Sequence, residues 1–350
     1  MSFKIRVNNI RRKFMKSITK NVGSTYSKKL KGSLNNEEVK NVLIIRPNHR
    51  LGNQLLLTPI VQEVLNTFPN CQVDLFVKGG VAHPVFENYE RVNKIFKLPR
   101  KPFNNLIKYV SAWVSIKNKS YDLVINGDKS SSSGRLLTSH SRSKFKIFGE
   151  FDSSINLEAK YPDYKHISKL PIYVLRYFLE EFGFENTQKS LPLLDIKLSK
   201  DEIANGKVIL SNLTKNNKKT ICIYTNATGA KCYSEDWWNT FYTRLKQEFP
   251  SYNIIEMLPI ENISKIGFKA PSFYSEDIRE MGGVLRNTAV FIAADNGVMH
   301  LASASLVPTV GFFSVTDEDI YAPYGNGSIA FNTNKSNITE WCKAIHDILD

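Results

Sequence analysis

The most constraining feature of the sequence is a strand–turn–helix–strand pattern between residues 289 and 313. An apolar run at 289–293 precedes the polar turn Asp295-Asn296-Gly297, and a short run of helix formers leads to a second apolar run at 309–313. This order is typical of a βαβ unit in a parallel sheet. Amides at the start of such a helix attract anions, so the turn predicts a phosphate site. An ordinary βα turn with a well-capped helix is the alternative.

Two further stretches show the same kind of pattern. Apolar residues 42–45 are followed by a turn with Gly52, by helical periodicity over 54–68, and by a second strand-like run. Residues 220–224 read as a strand, with a glycine-containing turn and a helix-like stretch behind it. The chain therefore predicts two α/β halves, with residues 187–218 as the connection between them.

The stretch 295–317, with Pro323-Tyr324-Gly325 behind it, resembles the D-[ST]-G-x-x-H-L-A-A-A…F-G-x-T-D…P-x-G segment of glycosyltransferase family 9, the lipopolysaccharide heptosyltransferases. The turn at Arg46–Asn53 resembles the opening segment of the family, in which Arg46 and Gly52 match and Asn53 stands where the family usually has Asp. The turn at Thr228–Lys231 is similar to the family's P-G-A…K element without its proline. The resemblance spans roughly 41–349 and is strongest at 41–69 and 284–325.

This resemblance implies an α/β fold of the GT-B type, with two Rossmann-like domains facing a central cleft. The expected boundaries are an acceptor domain at 39–200, a nucleotide-sugar domain at 201–335 and a closing helix at 336–350, and residues 1–38, outside the resemblance, read as a basic amphipathic arm and linker. The implied activity is transfer of a heptose or related sugar from a nucleotide diphosphate, such as ADP-heptose, to a lipid-linked, lipopolysaccharide-type or other surface-glycan acceptor. The family inverts the anomeric centre and needs no metal or cofactor, so neither is expected here.

The expected donor-binding residues lie in two turns. Lys231 and the backbone N–H groups of the helix that follows Asp295 would stabilise the departing diphosphate, and Asp295 would accept hydrogen bonds from sugar hydroxyls. A surface lysine is the alternative reading of Lys231. The full predicted set is Thr228, Gly229, Lys231, Asp295, Asn296, Gly297, Val298, Met299 and His300.

The general base is less clear, because the family's Asp is replaced by Asn53 and a neutral amide is a poor proton acceptor. Three explanations stay open. His49 in the same turn could substitute; Asp128, after the strand at 121–125, could reach the cleft; or the acceptor needs little base help and Asn53 only orients its hydroxyl. The serines at 130–133 beside Asp128 form either a solvated loop or part of an acceptor site.

Three competing interpretations follow from the same residues. Asp317-Glu318-Asp319 has the spacing of a D-x-D metal motif, but its place in a turn after a strand favours loop and helix-capping carboxylates. A nicotinamide-dependent oxidoreductase would carry a G-x-G-x-x-G turn, and residues 48–53 hold one glycine. A catalytically inactive, membrane-associated relative in a glycan-assembly complex remains open because of Asn53.

The charge of the chain is concentrated at its N-terminus. Residues 1–36 contain ten Lys/Arg and no Asp or Glu, against a net charge of +14 for all 350 residues. Apolar residues recur there at steps of three and four, which predicts a basic amphipathic helix on an anionic membrane surface. A packed arm or a disordered tail are the alternatives. The rest of the chain shows no nucleic-acid-binding motif. Its cysteines lack C-x-x-C spacing, so reduced thiols are expected. Together with the basic N-terminus, this predicts a cytoplasmic enzyme that is peripheral to the membrane.

Overall fold

The structure, a computed structural model, describes residues 17, 22–25, 33–99, 106–151, 155–184 and 190–350, with only the backbone for 106–110. Most of the predicted basic helix therefore lies outside the described residues. The chain divides into two compact units. Unit 1 contains the described residues up to His49, Pro59–His83 and Tyr89–Pro192, and unit 2 contains Arg50–Thr58, Pro84–Asn88 and Leu193–Asp350. Within the described part, no helix combines the length and apolar character needed to cross a membrane.

Unit 1 is built on a five-stranded parallel sheet in the order β3-β2-β1-β4-β5. Its strands are β1 (Asn41–Ile45), β2 (Gln72–Lys78), β3 (Val92–Leu98), β4 (Ser120–Asn126) and β5 (Arg142–Ile147). The central strands are apolar on both faces and buried, as expected of a parallel sheet covered by helices.

Unit 2 is built on a six-stranded parallel sheet in the order β11-β10-β9-β6-β7-β8. Its strands are β6 (Thr220–Tyr224), β7 (Asn253–Met257), β8 (Ser272–Phe273), β9 (Val290–Ala294), β10 (Thr309–Phe313) and β11 (Ile329–Asn332). Strands β6, β9 and β10 are buried along their whole length. The two sheets agree with the predicted pair of α/β halves.

Helices connect the strands, as parallel pairing requires. They are α1 (Leu51–Leu55), α2 (Thr58–Thr67), α3 (Ala82–Phe86), α4 (Leu106–Lys117), α5 (Ser132–His140), α6 (Leu157–Lys160), α7 (Leu170–Glu180), α8 (Lys200–Thr214), α9 (Glu235–Glu248), α10 (Ile278–Arg286), α11 (Gly297–Ala304), α12 (Glu318–Tyr321) and α13 (Ile338–Leu349).

Three local features differ from the sequence-based expectations. The helix predicted over 54–68 is two helices, α1 and α2, because Pro59 has no N–H to continue the hydrogen-bond ladder. The predicted connection at 187–218 contains α8, which begins with a capping box between Ser199 and Glu202. The serine-rich turn at 130–133 is the start of α5, with Ser131 as its N-cap.

Each sheet has one place where the strand order reverses direction. In unit 1 it lies between β1 and β4, and in unit 2 it lies between β6 and β9, each pair hydrogen-bonded and parallel. In open α/β sheets, ligands bind beside the carboxyl ends of the strands at this switch point. The turns after these four strands are therefore the first places to look for function.

Candidate active site

The switch point of unit 2 brings together two turns that were singled out in the sequence. Tyr224 at the end of β6 pairs with Ala293 near the end of β9, so the turns that follow leave the same edge of the sheet. The first turn continues into a 3₁₀ turn ending at Lys231, and the second carries Asp295. Lys231 and Asp295 are far apart in sequence and meet only because β6 and β9 are neighbours.

Asp295 lies at the centre of a small polar cluster. Lys231 Nζ donates to Asp295 Oδ2 at 3.0 Å, and Thr316 Oγ1 donates to the same oxygen at 2.7 Å. The other carboxylate oxygen, Oδ1, lies 3.8 Å from Nε2 of the buried His300. The Asp295 side chain is 7% exposed and that of Lys231 is 25% exposed. The carboxylate is thus buried beside a lysine that still reaches solvent.

The start of α11 is capped by the side chain of Asn296. Its Oδ1 accepts the N–H of Val298 at 2.7 Å and that of Met299 at 2.9 Å. Its Nδ2 donates to the carbonyls of Ala294 and Asn226, which fixes the amide in place between the two turns. The structure differs here from the expectation that these two N–H groups face a phosphate, because the capping amide occupies both.

The remaining donor-side residues surround this cap. Thr228 and Gly229 are exposed in the turn before Lys231, and Gly229 has a φ of +65° with open space where a Cβ would lie. Gly297 is the first residue of α11, and His300 lies in its first turn. The structure therefore brings Lys231, Asp295, Asn296 and His300 together, with Thr228 and Gly229 on the exposed rim.

Thr316 was not predicted, although it belongs to the T-D pair of the matched string. Its hydroxyl reaches Asp295 from the turn after β10, the strand that pairs with β9. The next residue, Asp317, accepts the N–H of Asp319 at 3.0 Å and caps α12, as expected for a helix-capping carboxylate. The signal for Thr316 was its position after a buried strand next to β9.

The three candidates for the base do not lie in one unit. Asn53 is a half-buried residue of α1 and belongs to unit 2, whereas His49 and Asp128 belong to unit 1. His49 is exposed in the turn after β1, and Asp128 follows β4, so both lie at the switch point of unit 1. Asp128 Oδ1 accepts the Ser130 N–H at 2.9 Å, which holds its carboxylate in a local turn.

The glycine turn of the opening motif packs against α11. A Cβ built on Gly52 would lie 2.8 Å from His300 Cδ2 and 3.5 Å from Gly297 Cα. One built on Gly297 would lie 3.3 Å from Leu51 Cβ. Glycine at both positions therefore allows α1 and α11 to approach more closely than side chains would permit.

One segment of the chain is similar to a known protein family. Residues 276–344 match the family described as glycosyltransferase family 9 (heptosyltransferase). A search among curated proteins by sequence finds no match. The likeness to relatives is therefore seen in this segment and in the fold.

Solved structures with the same fold cover most of the chain. The family 9 glycosyl transferase from Veillonella parvula has a TM-score of 0.66 at 15% identity, over 91% of this chain and 92% of its own. The E. coli heptosyltransferase WaaC with ADP has a TM-score of 0.63 at 14% identity, over 88% and 99%. The E. coli ADP-heptose lps heptosyltransferase II has a TM-score of 0.57 at 12% identity, over 88% and 98%.

These likenesses confirm the predicted α/β fold of the GT-B type. The family match falls on the segment that carries α10, β9, α11 and β10, together with Asp295, His300 and Thr316 of the cluster but not Lys231. The matched segment 276–344 is similar to glycosyltransferase family 9, and the solved heptosyltransferases share the fold of the chain.

Proposed function

We propose that this protein transfers a heptose or a related sugar from a nucleotide diphosphate to a lipid-linked surface glycan, with inversion at the anomeric carbon and without a metal. The observation that carries the proposal is the Lys231–Asp295 contact at the switch point of unit 2. Solved proteins of this fold are described with ADP and with ADP-2-deoxy-2-fluoro heptose, which supports an adenosine diphosphate sugar as the donor.

The chemistry of the donor side follows from charge. Breaking the bond between the sugar and the diphosphate leaves negative charge on the leaving phosphate, and a positive site placed in advance lowers that barrier. An ammonium has three N–H donors, so Lys231 can keep its bond to Asp295 and still donate to a phosphate oxygen. The N-terminus of α11 adds a partial charge of roughly +0.5 at the same edge.

Asp295 is suited to hold the sugar rather than the phosphate, since like charges repel. Its Oδ2 is shared by Lys231 and Thr316, and its Oδ1 faces His300 at 3.8 Å. A sugar hydroxyl that donates to Oδ1 would fix the ring next to the lysine. The cluster thus separates the two tasks, with the cation directed to the leaving group and the carboxylate to the sugar.

The acceptor must lose a proton, and the three explanations for the base stay proposals. Asn53→Asp, His49→Ala and Asp128→Ala separate them. If Asn53 only orients the hydroxyl, Asn53→Asp gains activity while the other two variants keep the wild-type rate. If His49 or Asp128 is the base, its alanine variant loses most of the activity.

The proposed partner of the basic segment 1–36 is an anionic membrane surface. Residues 22–25 should be kept in any shortened chain used to test this proposal, because they are hydrogen-bonded to other residues of unit 1. Thr25 is buried, its N–H donates to Glu150 Oε1 at 2.8 Å, and its hydroxyl accepts the Phe148 N–H at 2.9 Å. Removing residues 1–20 takes away seven of the ten Lys/Arg and leaves these contacts intact.

The membrane test compares the full chain and the shortened one on vesicles of phosphatidylglycerol with phosphatidylcholine, and on phosphatidylcholine alone. The full chain should sediment with the anionic vesicles and be released by salt, since Lys and Arg near such a surface contribute about 1 kcal/mol each. Equal sedimentation of both chains would exclude this role for the segment.

The test of the transferase proposal is release of nucleoside diphosphate from ADP-heptose, with UDP- and GDP-sugars as controls, in the presence and absence of a lipid-linked glycan acceptor. Acceptor-dependent release that persists in EDTA supports the proposal, and NMR of the product gives the anomeric configuration. Binding of a nucleoside diphosphate without any turnover on a panel of acceptors would favour the inactive relative.

A further inference from the structure

Helix α1 is fastened to unit 2 at both of its ends. At the start, a Cβ on Gly52 would lie 2.8 Å from His300 Cδ2, closer than carbon atoms normally pack, and 3.5 Å from Gly297 Cα, an ordinary contact. At the far end, the fully buried Thr58 donates from Oγ1 to the Leu55 carbonyl at 2.7 Å and accepts the Asp195 N–H at 3.1 Å. The short helix between these two points therefore has a defined position relative to α11.

At the two glycines of the contact a side chain is limited by space and not by backbone conformation, and the space is smallest at Gly52. Neither Gly52 nor Gly297 has a positive φ, so an L-residue could adopt both conformations. What excludes a side chain is the neighbour, because a Cβ at 2.8 Å from the His300 ring forces something to shift. His300 is itself buried with its Nε2 directed at Asp295. The contact thus joins α1 directly to the Asp295 cluster.

We propose that the Gly52–Gly297 contact is a positioning device that holds residue 53 against the donor-binding helix α11. This inference rests on the proposed transferase function. Residue 53 follows Gly52 in α1 and belongs to unit 2 together with Lys231 and Asp295. The group at position 53 therefore keeps its place relative to the proposed donor-binding turns of the same unit.

A fixed distance of this kind has a chemical purpose. Reacting groups must be held within a fraction of an ångström, and a misplacement of about 1 Å can lower the rate by about 100-fold. Asn53 is a neutral amide, so this inference adopts the explanation in which Asn53 orients an acceptor hydroxyl and contributes through its position. Gly52 and Gly297 are then positioning residues that act through α1, not groups that touch the substrate.

The first test uses hydrogen–deuterium exchange of the full chain with and without ADP. ADP should slow exchange at residues 295–302, where it is proposed to bind, and also at 50–57, which α11 contacts. Residues 41–48 of unit 1 are the internal reference and should not change. Protection at 295–302 without any change at 50–57 overturns the positioning role. Protection at neither, with ADP or with UDP or GDP, counts instead against the proposed transferase.

The second test is Gly52→Ala, with Gly80→Ala as the matched control, because Gly80 has an ordinary φ and open space around its Cα. Gly52→Ala should lower kcat for sugar transfer by about 10- to 100-fold, as expected for a displacement of the order of 1 Å. The dissociation constant for ADP should change by less than about threefold, because the phosphate-binding lysine is untouched.

The split between kcat and ADP affinity separates positioning from a purely structural role. A kcat equal to that of wild type overturns the inference, as does a parallel loss of ADP affinity and thermal stability. If Gly52→Ala does not fold, the exchange experiment on the wild-type chain still decides. A wild-type chain that binds ADP but transfers no sugar would leave the exchange result as the measure of this contact and would count against the proposed function.

Discussion

Replacing Lys231 by methionine tests the central pair of the donor site. Methionine keeps much of the aliphatic length and removes the ammonium that donates to Asp295 Oδ2 at 3.0 Å. Two effects are expected, because the lysine has two partners in the proposal. The folded chain loses an ion pair whose carboxylate side chain is 7% exposed, and the bound nucleotide loses a charge-assisted hydrogen bond.

The magnitudes follow from the burial of the pair. Leaving a buried acceptor without one of its donors costs about 1–3 kcal/mol, and Thr316 still donates to the same oxygen, which favours the lower half of that range. A hydrogen bond to a charged group contributes about 1.5–3 kcal/mol, so ADP should bind about 10- to 150-fold more weakly.

The chain offers a matched control in Lys265→Met. Lys265 pairs with Glu235 at 3.2 Å and its side chain is 27% exposed, close to the 25% of Lys231, but Glu235 is 67% exposed. A pair this open contributes at most about 1 kcal/mol. Lys265→Met should therefore bind ADP as the wild type does and lose little stability.

Isothermal titration with ADP and urea unfolding measure the two effects separately. An unchanged ADP affinity in Lys231→Met would refute the phosphate role and leave Lys231 as a partner of Asp295 alone. A loss of stability no larger than that of Lys265→Met would refute the reasoning from burial.

Three further predictions concern single contacts of unit 2. Thr316→Val removes the hydrogen bond to Asp295 and should lower kcat/KM for the sugar donor by about tenfold or more. Thr316→Ser keeps the hydroxyl and should have a kcat/KM near that of the wild type. Equal values of kcat/KM for the two variants would contradict this prediction. Asn296→Ala removes the cap of α11 and should lower the free energy of unfolding, measured with urea, by about 1 kcal/mol. ADP should bind this variant at least as tightly as the wild type, because the N–H groups of Val298 and Met299 become available. Tenfold weaker ADP binding would instead indicate that the Asn296 side chain itself contacts the nucleotide. Arg279 hydrogen-bonds to Glu202 and lowers the pKa of that carboxyl from 4.5 to about 2, so its contribution to stability is complete above about pH 4.5 and is lost as the pH falls toward 2. Urea unfolding at pH 7, 4 and 3 should show this loss in the wild type and a flatter profile in Glu202→Gln, and identical profiles would contradict it.

The sequence was informative where a local pattern coincided with complete burial. Strands β6, β9 and β10 are short apolar runs that are buried on both faces, and each was recognised with its following turn. The alternative interpretation of the turn at 295–297, a well-capped helix, agrees with Asn296 as the N-cap of α11. Capping by Asn296 also limits the prediction of a phosphate site, because the capping side chain already accepts the N–H groups of Val298 and Met299.

Other features depend on contacts that leave a weak local pattern. In α8 only Gly206 and Leu210 are buried, so the helix shows little apolar periodicity, although Ser199 and Glu202 have the spacing of a capping box. Gly206 packs on the backbone of Gly283 in α10, a contact between glycines that no periodicity reports. The association of α1 with α11 is of the same kind, since it rests on Gly52 and Gly297 at distant positions.

The division of the chain into two units bears on any attempt to express unit 2 alone. A shortened protein that starts at Leu193 would lack two short segments of unit 2, Arg50–Thr58 and Pro84–Asn88. In this shortened protein α11 would lose its packing contact with Gly52. The buried Arg279 would also lose the Pro84 carbonyl to which it donates a hydrogen bond. The nucleotide binding proposed for unit 2 is therefore best studied in the full-length chain, or in a shortened chain to which those two segments have been added back.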